Sequence, residues 1–121
     1  FKTKMRQMKI LFVENDARFA RIAMQQFLAN DEVVVVPSLK AAREQLQNSR
    51  FDVVLLDYDL DDGKGCELMP VVEKLATRPF VVATSSHETG NAALEKSGAD
   101  AVCGKMHFRR LPFLLDDYRM R

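Results

Sequence analysis

The stretch Phe51-Asp52-Val53-Val54-Leu55-Leu56-Asp57-Tyr58-Asp59-Leu60-Asp61-Asp62-Gly63 decides how this chain folds. Residues 53–56 are apolar without alternation, the pattern of a short strand buried on both faces. Acids follow at once. A second run, Ile10-Leu11-Phe12-Val13, ends in Glu14-Asn15-Asp16, and similar runs recur at 33–36, 80–83 and 101–103. Two strands that each deliver acids at their carboxyl ends are able to build one anionic pocket.

Helical spacing lies between the runs. Asp16 is placed to cap a helix carrying Phe19, Ile22, Ala23 and Phe27 on one face. Ser38 is placed to cap a second, with Leu39, Ala42 and Leu46 inward. Leu68, Val71, Val72 and Leu75 form the stripe of a third, and Pro70 sits early in it, where a missing N–H costs least. The fourth, about 87–97, is weakly patterned, with Ala92, Ala93 and Leu94 as its apolar members and Gly98 as its stop. The fifth has Pro112 near its start and Leu111, Leu114, Leu115 and Tyr118 on one face.

Strands alternating with helices imply parallel βαβ units with right-handed crossovers. The expected class is α/β, a flavodoxin-like (βα)5 three-layer sandwich with a parallel sheet in the order 2-1-3-4-5. In that order strands 1 and 3 meet at the topological switch point, and ligands bind outside the carboxyl ends of the strands there. Glu14, Asn15, Asp16 and Asp57 fall at that point.

The 121 residues suit one domain large enough to bury a core. A net charge of +1 with mixed signs argues for neither nucleic acid nor a membrane surface. No apolar stretch approaches the roughly 18 residues of a membrane span. Phe1 to Met8 is polar and basic and lacks the apolar centre of a signal peptide. Residues 1–7 read as a leader, 8–121 as the domain, and the location as cytoplasmic. Cys66 and Cys103 make no disulfide framework and read as reduced thiols; His87 and His107 lack ligand spacing.

Crowded carboxylates repel and require a counter-charge. Mg²⁺ is the natural candidate, since it takes oxygen ligands and keeps several waters. The fourth run ends in Thr84-Ser85, where a hydroxyl faces the same cleft, and the fifth leads to Gly104-Lys105, a point positive charge. Each has a plainer reading: Asp16 as a cap, Asp61 and Asp62 as solvated loop acids, Thr84 or Ser85 as the cap of the next helix. Acids, hydroxyl and lysine on four neighbouring strand ends are more specific together. They suit Mg²⁺ and a phosphoryl group on Asp57.

The segments KILFVEND at 9–16, FDVVLLDYDLDDGKGCEL at 51–68, RPFVVATSS at 78–86 and SGADAVCGK at 97–105 carry a resemblance. Over residues 8–119 the chain resembles a receiver domain of two-component response regulators. The resemblance implies that Asp57 accepts a phosphoryl group from a sensor histidine kinase or a histidine phosphotransfer protein. It implies that Glu14, Asn15, Asp57 and the backbone carbonyl of Asp59 organise Mg²⁺. Thr84 becomes the switch hydroxyl, Ser85 the small residue beside it, and Lys105 the phosphate-side lysine. Such a domain is no enzyme beyond its own phosphotransfer and dephosphorylation. Donors would approach at the first helix, and a dimer would form through the helix 4–strand 5–helix 5 face, where Arg109 and Arg110 could pair with acids.

The departures are specific. Asn15 stands where the family usually has a second carboxylate, which lowers the expected Mg²⁺ affinity. Met106 stands where proline usually follows the lysine. A cis bond there costs about 2.5–4 kcal/mol for a residue other than proline, so Lys105–Met106 is either trans, moving Lys105, or strained. Val102 replaces the usual aromatic, and the segment from Thr84 to Lys105 is one residue short. A degenerate receiver, working as a phosphorylation-independent protein-interaction module, is the alternative these departures motivate. A phosphatase built on Asp57-Tyr58-Asp59 lacks the downstream chain such chemistry uses. A calcium loop counted from Asp57 misses its register at Asp62 and Leu68. A flavin phosphate would be repelled by Glu14-Asn15-Asp16.

Overall fold

In the computed structural model, residues 6–120 are described. The apolar runs form a five-stranded parallel sheet: β1 (Lys9–Val13), β2 (Glu32–Val36), β3 (Val53–Leu56), β4 (Phe80–Ala83) and β5 (Ala101–Val102). Their spatial order is β2-β1-β3-β4-β5, all parallel, as the alternation predicts. Every residue of β3 is fully buried, as are Ile10 to Val13 of β1, because helices cover both faces. Leu11, Val13, Val54 and Leu56 point into one core with Leu39, Leu46, Val72 and Leu94. Ile10, Phe12, Val53 and Leu55 point into the other with Ala20, Ala23, Leu111 and Leu115. The period-2 alternation of side chains thus divides one apolar run between two cores.

Four helices connect the strands and a fifth follows β5: α1 (Ala17–Phe27), α2 (Leu39–Asn48), α3 (Met69–Glu73), α4 (Glu88–Lys96) and α5 (Leu111–Arg119). Asp16 caps α1 by accepting from Phe19 N at 3.0 Å, and Ser38 caps α2 by accepting from Ala41 N at 3.1 Å. Asp62 is exposed, as expected of a loop acid, but it also caps α2. Its carboxylate accepts from Leu39 N at 2.7 Å and Lys40 N at 3.0 Å, so side chains satisfy three of the orphan donors of α2. This Asp62 contact pulls its own carboxyl below the ordinary carboxylate value.

Other helical expectations need correction. Ile22 is exposed, and Ala20 takes its place beside Ala23 under α1. The third helix is only five residues long, entered through a 3-10 turn at Gly65–Leu68, although Leu68 and Val72 are buried as expected. On α4 the buried residues are Gly90, Asn91 and Leu94, while Ala92 faces solvent. Asp59–Leu60 and Gly63–Lys64 form a separate antiparallel hairpin above the sheet. Residues 1–5 of the expected leader lie outside the described residues. The carbonyl of Arg6 accepts from Arg119. Among the described residues no helix is long and apolar enough to cross a membrane.

Candidate functional site

Strand register assembles the site. Val13 pairs with Leu56, and Leu56 with Ala83. The next residue of each strand, Glu14, Asp57 and Thr84, therefore stands in one row at the carboxyl end of the sheet. Backbone bonds continue the ladder into that row: Asp57 N to Val13 O at 3.1 Å and Thr84 N to Leu56 O at 2.9 Å. Glu14, Asp57 and Thr84 are all buried.

Lys105 closes the row from the far edge. Its Nζ lies 2.9 Å from Glu14 Oε2 and 3.3 Å from Asp57 Oδ2, and 5.0 Å from the centroid of the Phe19 ring. Burial works against the Lys105 charge, but the Glu14 bond and the fields of Glu14 and Asp57 outweigh it and raise its pKa. Burial also pushes the Glu14 carboxyl above its usual range, partly offset by the bonds from Lys105 and Asp16 N. Among the described residues no peptide bond is cis, so Lys105–Met106 is trans, and Lys105 still reaches both acids. Phe108 secures the following 3-10 turn: its ring lies 6.0 Å from that of Phe12 and 5.1 Å from that of Phe19.

Among the described residues, two buried side-chain atoms have no hydrogen-bond partner, Glu14 Oε1 and Thr84 Oγ1. A buried unpaired polar atom costs about 1–3 kcal/mol, and such atoms mark where a missing partner would bind. Both lie in the row that flanks or contains the Asp57 strand end. Asn15 is exposed at the rim. Asp59 is exposed as well, its carboxylate paired with Lys64 of the hairpin.

The sequence profile of the response regulator receiver domain matches residues 10–110. The chain belongs to the response regulator receiver domain family. It is 29% identical over 114 residues to the transcriptional regulatory protein CitB of Klebsiella pneumoniae, covering 89% of this chain and 49% of that one. It is 31% identical over 85 residues to the sensory transduction protein LytR of Staphylococcus epidermidis, covering 67% of this chain and 33% of that one. The chain therefore spans half or less of the length of these two relatives. The receiver domain of the Francisella response regulator 1452 superposes with a TM-score of 0.82 at 20% identity, covering 95% and 98% of the two chains. A CheY-like receiver from Methanospirillum hungatei gives 0.82 at 21%, covering 94% of each.

The receiver's expected residues divide cleanly. Glu14, Asp57, Thr84 and Lys105 come together; Asn15 and Asp59 are exposed, and the Asp59 group expected at the metal is its backbone carbonyl rather than the carboxylate that pairs with Lys64. The plain cap readings of Thr84 and Ser85 do not hold, since no side chain caps α4 and the Ser85 hydroxyl instead accepts from His87 N at 3.1 Å. Asn91, bonded to Ser85, and Phe19, whose ring lies under Lys105, are neighbours of the site that the sequence did not single out for it. Arg109 and Arg110 are exposed. Val102 is exposed and apolar on the α4–β5–α5 face, with Met106 and Phe113.

Proposed function

We propose that the chain is a phosphorylatable receiver in which Asp57 accepts a phosphoryl group from a phosphohistidine and relays the event by conformational change. The convergence of Asp57 with Lys105, Glu14 and Thr84, two of them carrying buried uncommitted oxygens, supports this reading most directly. In the transfer an Asp57 carboxylate oxygen forms the new bond to phosphorus while the phosphorus–nitrogen bond breaks. The electron pair returns to the imidazole. Lys105 offsets charge on the incoming oxygens, and the free Thr84 hydroxyl donates to one of them. The donor would be a sensor histidine kinase or a histidine phosphotransfer protein, approaching beside α1. A dimer through the α4–β5–α5 face fits its exposed apolar residues.

The residues fit a hard divalent cation. Glu14 Oε1 is a buried acidic oxygen without a partner, the ligand type Mg²⁺ takes. Glu14, Asn15, Asp57 and the carbonyl of Asp59 would hold it. When bound, Mg²⁺ supplies positive charge to the transferring group.

Incubation with acetyl phosphate and Mg²⁺ is expected to add about 80 Da, one phosphoryl group, by intact mass. Asp57→Asn should abolish the adduct. An unchanged mass in the wild type, together with no beryllofluoride complex, would overturn the reading.

A second reading has its own support. Asn15 brings no second carboxylate to the strand end beside Glu14, and exposed Val102 offers no aromatic ring to follow Thr84, which favours a phosphorylation-independent interaction module. Calorimetric titration separates the two, since millimolar or tighter Mg²⁺ binding lost in Glu14→Gln counts against the module.

A further inference from the structure

A receiver that moves Thr84 must pass the movement on, and exposed Val102 supplies no ring to do so. Asn91 of α4 is buried, an unusual place for an amide on a helix face otherwise formed by Gly90 and Leu94. Its side chain holds both backbone groups of Ser85, the residue after Thr84. Asn91 Oδ1 accepts from Ser85 N at 2.8 Å, and Asn91 Nδ2 donates to Ser85 O at 3.0 Å. The planar amide thus grips one residue at both ends, leaving it little freedom to shift alone. The same Ser85 carbonyl accepts from Lys105 N at 3.3 Å. One amide is thereby joined to the segments bearing both Thr84 and Lys105.

The helix also lies flush on the site. A Cβ at Gly90 would fall 2.7 Å from Ser85 Oγ and 2.9 Å from Tyr58 Cβ, so α4 touches the residues that follow both Thr84 and Asp57. In the family's terms the Thr84 hydroxyl is the group drawn toward a phosphorylated Asp57. A displacement of Thr84 would carry the adjoining Ser85 peptide, and the amide bonded to it, along.

We infer that Asn91 is a positioning residue that holds the Thr84–Ser85 segment at the acceptor and transmits its displacement to α4. The inference rests on the phosphoacceptor reading. A coupling of this kind needs a direct perturbation test rather than spatial adjacency.

Beryllofluoride and Mg²⁺ are added to ¹⁵N-labelled protein, and amide shifts are followed at 58 and 84 and along 88–96. In the wild type both sets move. In Asn91→Leu, apolar and of similar size, the α4 shifts are expected to fall roughly fivefold, the lower end of couplings between sites, while those at 58 and 84 persist. Asn91→Asp keeps the acceptor for Ser85 N but loses the donor to Ser85 O. It should fall between the two, and it carries the test if the leucine variant does not fold. Undiminished α4 shifts in the variants overturn the coupling alone. No complex in the wild type overturns the phosphoacceptor reading and the coupling with it.

Discussion

Glu14 has no exposed side-chain surface, yet one of its oxygens meets no donor. It shares Lys105 with Asp57, so two carboxylates lean on one ammonium. That arrangement raises the Glu14 pKa through burial and leaves the anion only partly compensated. Asn15 lowers the local negative charge by one relative to a carboxylate at the same position. Asn15→Asp is therefore expected to tighten Mg²⁺ binding about tenfold, equivalent to roughly 1.4 kcal/mol, measured by calorimetry. An unchanged affinity would place residue 15 outside the metal's reach. The acids, the hydroxyl and the lysine were readable because each directly ends, or closely follows, an unbroken apolar run. A strand's end fixes where the next side chain goes, so position in the chain translates into position in space. Asn91 and the trans state of Lys105–Met106 were not readable, because each depends on what the folded chain places opposite.

At the scale of elements, the loop after β3 is the most constrained. Gly65 packs against the backbone of the acceptor: a Cβ there would collide with the Asp57 carbonyl oxygen, and Gly65 N donates to Tyr58 O at 2.6 Å. Gly65→Ala should lower stability by about 3 kcal/mol, read by urea unfolding, and should slow acetyl phosphate labelling of Asp57. Asp62 holds the hairpin tip to the start of α2. Asp62→Ala is expected to lower the urea midpoint with an unchanged slope, since it removes a cap without altering the surface exposed on unfolding. An unaltered midpoint would show that Ser38 suffices. The two caps differ in legibility for a simple reason. Ser38 precedes its helix by one residue, whereas Asp62 reaches Leu39 across 23 positions. Ile22 was assigned inward because helical spacing defines a stripe, but how the helix rolls on the sheet decides which edge of that stripe is covered.

The whole molecule separates a reactive end from a closing end. Unsatisfied oxygens gather at the carboxyl ends of the strands. At the amino ends, Arg119 of α5 forks onto Asp31 at 2.7 and 2.8 Å, and Asp31 also accepts from Met8 N at 3.0 Å. The clamp ties the last helix to the loop before β2 and to the start of β1. Burial alone would raise the Asp31 carboxyl, but the Arg119 fork and the Met8 N–H hold it below its ordinary value of 3.8. A native pKa below the unfolded one gives stability that is full above the ordinary value and lost as pH falls through the native one. Asp31→Asn should cost about 2 kcal/mol at neutral pH, because it removes the charged partner of the Arg119 fork and leaves the half-buried guanidinium only its Asp116 ion pair. The gap from wild type should narrow as acid protonates Asp31. A gap independent of pH would mean that the clamp works by packing rather than charge.

The sequence by itself determined the layered fold, the strand order expected of it, and the row Glu14, Asp57, Thr84 with Lys105 beside it. Those features depend on hydrophobic period and on proximity along the chain, which are local quantities. Only the tertiary structure decided that Asn91 grips Ser85, that Asp62 caps a helix begun before it, and that Arg119 closes on Asp31. Each joins polar groups whose need for a partner is visible in the sequence but whose partner is chosen by packing. Burial fixes that choice, because a polar group withdrawn from water must bond to whatever the fold places within reach.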